Sequence, residues 1–153
     1  MGGKKYRPNV CAVIKRKIDN SILLCHRKGF KPFEGWQFPQ GGIDTQKNLV
    51  DELKRELLEE IGINDIVVIK ILPKYYFYDF PLDLKCGKYH NYRGQKQKWI
   101  LVELQTDNIK LPAQNDNAEF DDYQWVKPYE AILRIVDFKK EIYKQALDDL
   151  KLI

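Results

Sequence analysis

Two apolar runs open the chain, at residues 10–18 and 21–27, and Asp19-Asn20 lies between them. Apolar stretches of strand length on either side of an Asp-Asn step predict a β-hairpin. Residues 29–35 are rich in Gly, Pro and Lys and read as a loop. Residues 36–38 are short and extended. Pro39-Gln40-Gly41-Gly42 then breaks regular structure, because Gly tolerates backbone angles other residues avoid. Leu49, Leu53, Leu57 and Ile61 recur at near-helical spacing, and Gly62 supplies the stop. Residues 66–72 are a β-branched run that predicts a buried strand. Residues 75–80 are aromatic and extended, residues 85–94 are polar and read as loop, and 99–104 and 123–126 read as strands. Pro128 opens a short helix to about residue 136. From Phe138 onward, Ile142, Ala146 and Leu150 give a second helical stripe. Strands mixed with a few helices, without strict alternation, predict an α+β fold with a mixed sheet sandwiched between helices (α/β/α).

Length and composition narrow the class. A chain of 153 residues suits one domain, so residues 1–153 are expected to form a single unit. It is 44% hydrophobic and 31% charged, which excludes a disordered tail protein. No apolar run reaches the roughly 18 residues of a membrane span, and the opening Met1–Tyr6 lacks the apolar segment of a secretory signal. Cys11, Cys25 and Cys86 show no CxxC spacing, so a disulfide framework and a zinc site are not expected and a reduced, cytoplasmic setting is. Cys11 and Cys25 read as core thiols. Ser21 is the single serine, a poor basis for a Ser-His-Asp hydrolase. Lys and Arg number 26 against 22 Asp and Glu, a net charge of +4 that permits an anionic partner without demanding one.

The distribution of charge is more telling than its sum. Of nine glutamates, Glu52, Glu56, Glu59 and Glu60 fall within nine residues. On a helix they occupy about 100° of arc. Like charges at i, i+4 repel, and a bound divalent cation reverses the sign of that interaction. Hard oxygen ligands without thiol or imidazole suit Mg²⁺, with Mn²⁺ as the alternative. Acidic residues on a helix are more often a solvated face, and the pattern alone leaves metal site and solvated face about evenly matched.

Spacing supplies the next step. Gly41, Arg55-Glu56-Leu57, Glu59-Glu60, Gly62 and Ile63 match G-x5-E-x7-R-E-U-x-E-E-x-G-U, where U is a bulky aliphatic residue. The sequence thereby resembles the Nudix hydrolases, with the box spanning residues 41–63. Eight of nine defined positions match; the first glutamate of the pattern falls on Lys47. Tyr6-Arg7-Pro8-Asn9-Val10, Trp36-Gln37-Phe38-Pro39-Gln40-Gly41-Gly42-Ile43, Gly94-Gln95-Lys96-Gln97-Lys98-Trp99, Glu119-Phe120-Asp121 and Phe138-Lys139 are similar to the RNA pyrophosphohydrolase and dinucleoside polyphosphate (Ap4A) hydrolase group of that family.

The resemblance implies a Nudix fold and a Mg²⁺-dependent pyrophosphohydrolase acting on triphosphorylated or diphosphorylated 5′ ends of RNA. Dinucleoside polyphosphates are the alternative substrate, and a nucleotide- or RNA-binding module with weak or no turnover is the alternative class, motivated by Lys47. It implies Glu56, Glu59, Glu60 and Glu119 as metal ligands, with a backbone carbonyl near Gln40 or Gly41. It leaves the general base between Glu56 and Glu119, with Arg55 orienting carboxylates. Asp51 or Glu52 could stand in for the ion partner that Lys47 removes from Arg55. Arg7, Lys96, Lys98 and Lys139 are candidate phosphate contacts, Phe138 a candidate base-stacking residue, and His26 or Arg27 its facing partner. A monomer acting on neither DNA nor membranes is expected.

Overall fold

The computed structural model describes residues 5–63, 65–81 and 91–153. Strands β1 (Lys5–Arg16) and β2 (Ile22–Arg27) form the expected hairpin. The turn between them is closed by Arg16, whose guanidinium donates to Asp19 at 2.9 and 3.0 Å, and by Asn20 at φ 58°. Short strands β3 (Trp36–Gln37) and β4 (Gln40–Gly42) follow, then helix α1 (Leu49–Ile61). Next come β5 (Ile66–Ile71), β6 (Tyr76–Asp79), β7 (Tyr92–Leu104) and β8 (Phe120–Val126). Helices α2 (Pro128–Arg134) and α3 (Asp137–Asp149) end the described chain.

The sheet is mixed. β1 runs parallel to β7 from Lys5↔Tyr92 to Arg16↔Leu104, and its other edge is shared. β4 pairs antiparallel with Asn9, Val10 and Cys11, while β2 meets β1 at Lys15↔Ile22 and continues with β3 on one side and β8 on the other. β1 and β2 therefore fork, and the strands around them form two leaves.

Alternation on β1 and β7 fills a core on each face. On one, Val10, Ala12, Ile14, Ile100 and Val102 meet Leu53, Leu57 and Ile61 of α1. On the other, Cys11, Val13, Trp99 and Leu101 meet Tyr143, Ala146, Leu147 and Leu150 of α3. Phe38 stacks on Tyr143 at 4.9 Å, and Trp99 stands edge-on to both rings. The α/β/α expectation holds, as do the buried thiols of Cys11 and Cys25.

Three local expectations need correction. Residues 40–42 are not a break but strand β4, because two glycines let the backbone lie flat against β1. β5 is a strand yet half-exposed: it ends the strand order, and Val67, Ile69 and Ile71 face outward. β-branching specified its extension, not its burial. β7 begins at Tyr92, well before Trp99, because β1 and β6 supply ladders to its polar first half. Cys86, His90 and most of the predicted 85–94 loop lie outside the described residues.

Candidate active site

Helix α1 carries the carboxylates, and its ends fix their rotation. Asn48 caps the start by accepting from the Asp51 amide at 3.1 Å. Gly62 ends it in the left-handed region, at φ 71°. With Leu53, Leu57 and Ile61 packed on the sheet, Glu56 and Glu60 are turned toward the fork beside β4, while Glu59 stays exposed.

Glu56, Glu59, Glu60 and Glu119 line one cleft of about 450 Å³, with residues 112–118 forming its outer wall. Glu56, Glu60 and Glu119 also line an adjoining recess of about 200 Å³ with Arg7, Asn9, Gln40, Gly41, Gly42 and Gln95. Glu119 arrives from the other leaf, immediately before β8, where its carbonyl accepts from the Lys28 amide at 2.9 Å. The backbone of β4 approaches very closely: a Cβ on Gly41 would overlap the Glu56 carboxyl, and one on Gly42 would overlap the Arg7 guanidinium.

Glu60 is the most stressed of these groups. It is 7% exposed, and its Oε2 is buried with no hydrogen-bond partner. Burial, then the charges of Glu119 and Glu56, push its carboxyl up to about 11. Burial likewise raises Glu56, although Arg55 opposes the shift. Burial of a carboxyl group disfavours its charged form, and a cation bound beside it would offset that cost. Among the described residues, no group of three or more His, Cys, Asp or Glu side chains is already arranged to hold a metal ion. The donor chemistry nevertheless fits one: an orphaned buried oxygen and all-oxygen donors converging from two elements suit a hard divalent ion. Glu56, Glu60 and Glu119 would hold it, with Glu59 at the cleft mouth.

Beneath the recess lies a polar ladder. Arg7 Nη1 donates to Gln95 Oε1 at 3.0 Å, and Gln95 Nε2 donates to the Tyr78 hydroxyl at 2.6 Å. Gln97, fully buried, donates to Asn9 at 3.0 Å and to the Gln40 side chain at 2.7 Å. Gln95, Gln97 and Asn9 were absent from the sequence-derived site. The period-two placement of Gln95 and Gln97 was their only signal, since a surface strand places such residues outward as readily as inward.

The candidate substrate residues divide. Arg27, Phe138 and Lys139 come together in a third hollow, of about 670 Å³, with Phe30, Trp36 and Val136. Lys139 is 8% exposed, and burial, then the neighbouring charge of Arg27, lower its ammonium to about 8. His26 is not in that lining. Its Nδ1 lies 2.6 Å from Asp121 and its Nε2 2.8 Å from the Lys31 carbonyl. Burial pulls the imidazole pKa down, but these two acceptors outweigh it and the net shift is upward. His26 thus acts as a strut under the 29–35 loop. Lys96 and Lys98 are not brought to the cleft either. They point to the opposite face of β7 from Gln95 and Gln97, each about 5 Å from the centre of the Tyr75 ring, and Lys98 donates to the Pro73 carbonyl at 2.8 Å.

Comparison with known proteins bears on the family and the fold. The NUDIX domain model matches residues 5–146. A protein of Helicobacter pylori (strain ATCC 700392 / 26695) named RNA pyrophosphohydrolase is 40% identical over 146 residues, covering 94% of this chain and 92% of the relative. One of the same name from Francisella tularensis subsp. mediasiatica (strain FSC147) is 40% identical over 150 residues, covering 95% and 94%. Among solved structures, the E. coli dihydroneopterin triphosphate pyrophosphohydrolase superposes with a TM-score of 0.68 at 18% identity, covering 93% of this chain and 97% of that one. A C. elegans Ap4A hydrolase binary complex gives 0.63 at 17%, covering 95% and 99%. At such identities these two speak for the fold alone. A carboxylate helix facing a glycine-rich strand across a forked sheet, a domain match over nearly the whole chain and two relatives at 40% identity together establish that this chain belongs to the Nudix family.

Proposed function

We propose that the protein is a Mg²⁺-dependent pyrophosphohydrolase that converts triphosphorylated or diphosphorylated RNA 5′ ends to monophosphates. The observation that carries a hydrolytic role is buried Glu60, its Oε2 unpartnered, in the same recess as Glu56 and Glu119. The names of the relatives at 40% identity favour RNA over other anhydrides.

The reaction adds water across a phosphoric anhydride: a P–O bond to water forms, the anhydride P–O bond breaks, and pyrophosphate or phosphate leaves. A bound divalent ion would supply charge neutralisation and a more acidic water. The chain's own groups do the rest. Arg7, held by Gln95 beside Gly42, stands in the recess to meet a phosphate. Glu56 or Glu119 accepts the proton of the attacking water. Phe138, Arg27 and Lys139 offer a ring and two cations to the 5′ nucleotide. Among the described residues, no helix is long and apolar enough to cross a membrane. On this reading the chain works as one domain and a monomer, in the cytoplasm, on RNA rather than DNA.

The test incubates purified protein and Mg²⁺ separately with 5′-triphosphate RNA, 5′-diphosphate RNA and Ap4A. Release of pyrophosphate or phosphate from RNA, lost in Glu60→Gln, is the expected outcome. Efficient cleavage of Ap4A with neither RNA attacked replaces the RNA reading with the dinucleoside one. Absence of all cleavage at high enzyme concentration leaves a binding module.

A further inference from the structure

The box pattern places a glutamate at position 47, and this chain has Lys47 there. Lys47 is exposed, in the turn ahead of α1. Its amide donates to the Asp44 carbonyl at 3.0 Å. The pattern leaves position 52 open, and there the chain has Glu52, which is 4% exposed. A carboxylate so buried needs a partner, and Glu52 has one. Its Oε2 accepts from Arg55 Nη2 at 2.6 Å and from Arg55 Nε at 3.1 Å. One edge of the guanidinium thus converges on a single buried oxygen.

The same guanidinium reaches the cleft. Nη2 also donates to Glu56 Oε1 at 3.1 Å, and Nη1 to Glu59 Oε2 at 3.4 Å. Arg55 is about half exposed, so burial alone does not hold it. The Glu52 carboxylate is what fixes where the cation stands between Glu56 and Glu59. Freed of Glu52, the guanidinium would be available to pair fully with either glutamate, and such a pair competes with a divalent ion for the same oxygens. Lys47, Asp51, Glu52 and Arg55 line one shallow hollow outside the cleft, so the lysine sits on the outer side of this arrangement.

We propose that Glu52 is a positioning residue of this site: it supplies from within α1 an anchor for Arg55 in a chain whose position 47 carries lysine in place of the box glutamate, so that Arg55 is held without a carboxylate there. The inference rests on the metal-binding reading of Glu56, Glu59 and Glu60, but not on the identity of the substrate.

The experiment measures Mn²⁺ affinity directly, by titration calorimetry on the purified protein, alongside kcat and KM on whichever anhydride the enzyme cleaves. The variants are Glu52→Gln, Glu52→Ala, Arg55→Ala, the Glu52→Ala/Arg55→Ala double variant and Lys47→Glu. Losing the hydrogen-bond partner of a ligand typically costs about 10- to 100-fold in metal affinity or activity, and that partner here is Arg55, which Glu52 holds in place. Both Glu52 variants are expected to lose that much in Mn²⁺ affinity and kcat, with KM changed less than about threefold. The double variant is expected to be no worse than Arg55→Ala alone, because Glu52 acts through Arg55. Lys47→Glu is expected to gain less than about twofold, since the anchor is already present. Wild-type Mn²⁺ affinity in folded Glu52→Ala, additive losses in the double variant, or a tenfold gain in Lys47→Glu each overturns the proposal. A failure of the RNA assay with Mn²⁺ affinity still lost on Glu52→Ala leaves it standing.

Discussion

At the scale of single residues, Glu60 is a carboxyl group buried with its Oε2 unpartnered beside two other glutamates. Its folded pKa is raised above the usual carboxyl range, so its ionisation opposes folding. For a carboxyl shifted upward, the stability contribution is fully present below the unfolded value, about 4.3. It is lost as pH rises toward the folded value, about 11. Metal-free protein should therefore lose stability steadily from about pH 5 to 8, and Mg²⁺ should restore it. Glu60→Gln is expected to flatten that slope, raise the metal-free melting temperature by a few degrees, and abolish both the Mg²⁺-induced rise and the activity. Thermal denaturation with and without Mg²⁺ at several pH values measures this; an unchanged slope in the variant would show that Glu60 does not carry the strain. Spacing put Glu56, Glu59 and Glu60 on one helix face, because i, i+3 and i+4 positions are neighbours, but it left metal site and solvated face evenly matched, and only the box pattern suggested their roles. The role of Glu52 was only half legible. Its place on the wheel put it beside the apolar stripe, but its burial depends on how closely the sheet and the loop before α1 approach. His26 was offered with Arg27 as the partner facing Phe138 on the resemblance alone, and of the two it is Arg27 that lies with Phe138. Only the fold shows both His26 nitrogens already occupied.

At the scale of elements, α1 and β4 work as a pair. The helix was readable from its apolar period to its stop at Gly62, whereas the Asn48 cap came to light only in the fold. β4 was not, because three residues containing two glycines carry no strand propensity and pair only through β1. That absence of side chains is what the site uses. Gly41→Ala keeps an ordinary backbone conformation but places a methyl group against the Glu56 carboxyl. The expected result is a protein with near-native circular dichroism and a kcat reduced about 100-fold, as displacement of a reacting group by about 1 Å can cost. Steady-state kinetics alongside the melting curve check it; near-wild-type turnover would mean that Glu56 tolerates a different rotamer. The polar half of β7 escaped the pattern for a related reason. Gln95 and Gln97 look like loop residues until Asn9, Gln40 and Arg7 are placed opposite them.

At the scale of the whole molecule, the fork between β1 and β2 organises the site. Gln40, Gly41, Glu56 and Glu60 belong with the β1–β4–β7 leaf and the helix on it, whereas Glu119 enters with the β2–β3–β8 leaf. The layered class was legible from strand and helix counts. The fork was not, because it depends on which partner each half of β1 takes, and pairing between distant segments leaves no local trace in a sequence. A forked sheet has its weakest seam where the ladder is missing, so local opening should concentrate there. Hydrogen exchange should then slow on adding Mg²⁺ in both leaves at once, at residues 40–42 and at 119–123, and should not do so in Glu119→Ala. Protection confined to α1 would refute this.

The seam has a further consequence. A sheet that parts along one strand behaves like a hinged book whose clasp sits between the pages, and on the proposed function the clasp is the candidate active site. On the proposed function, the stiffness of the whole molecule should follow the supply of divalent cation: looser and without turnover when ions are scarce, firmer and active when they are present.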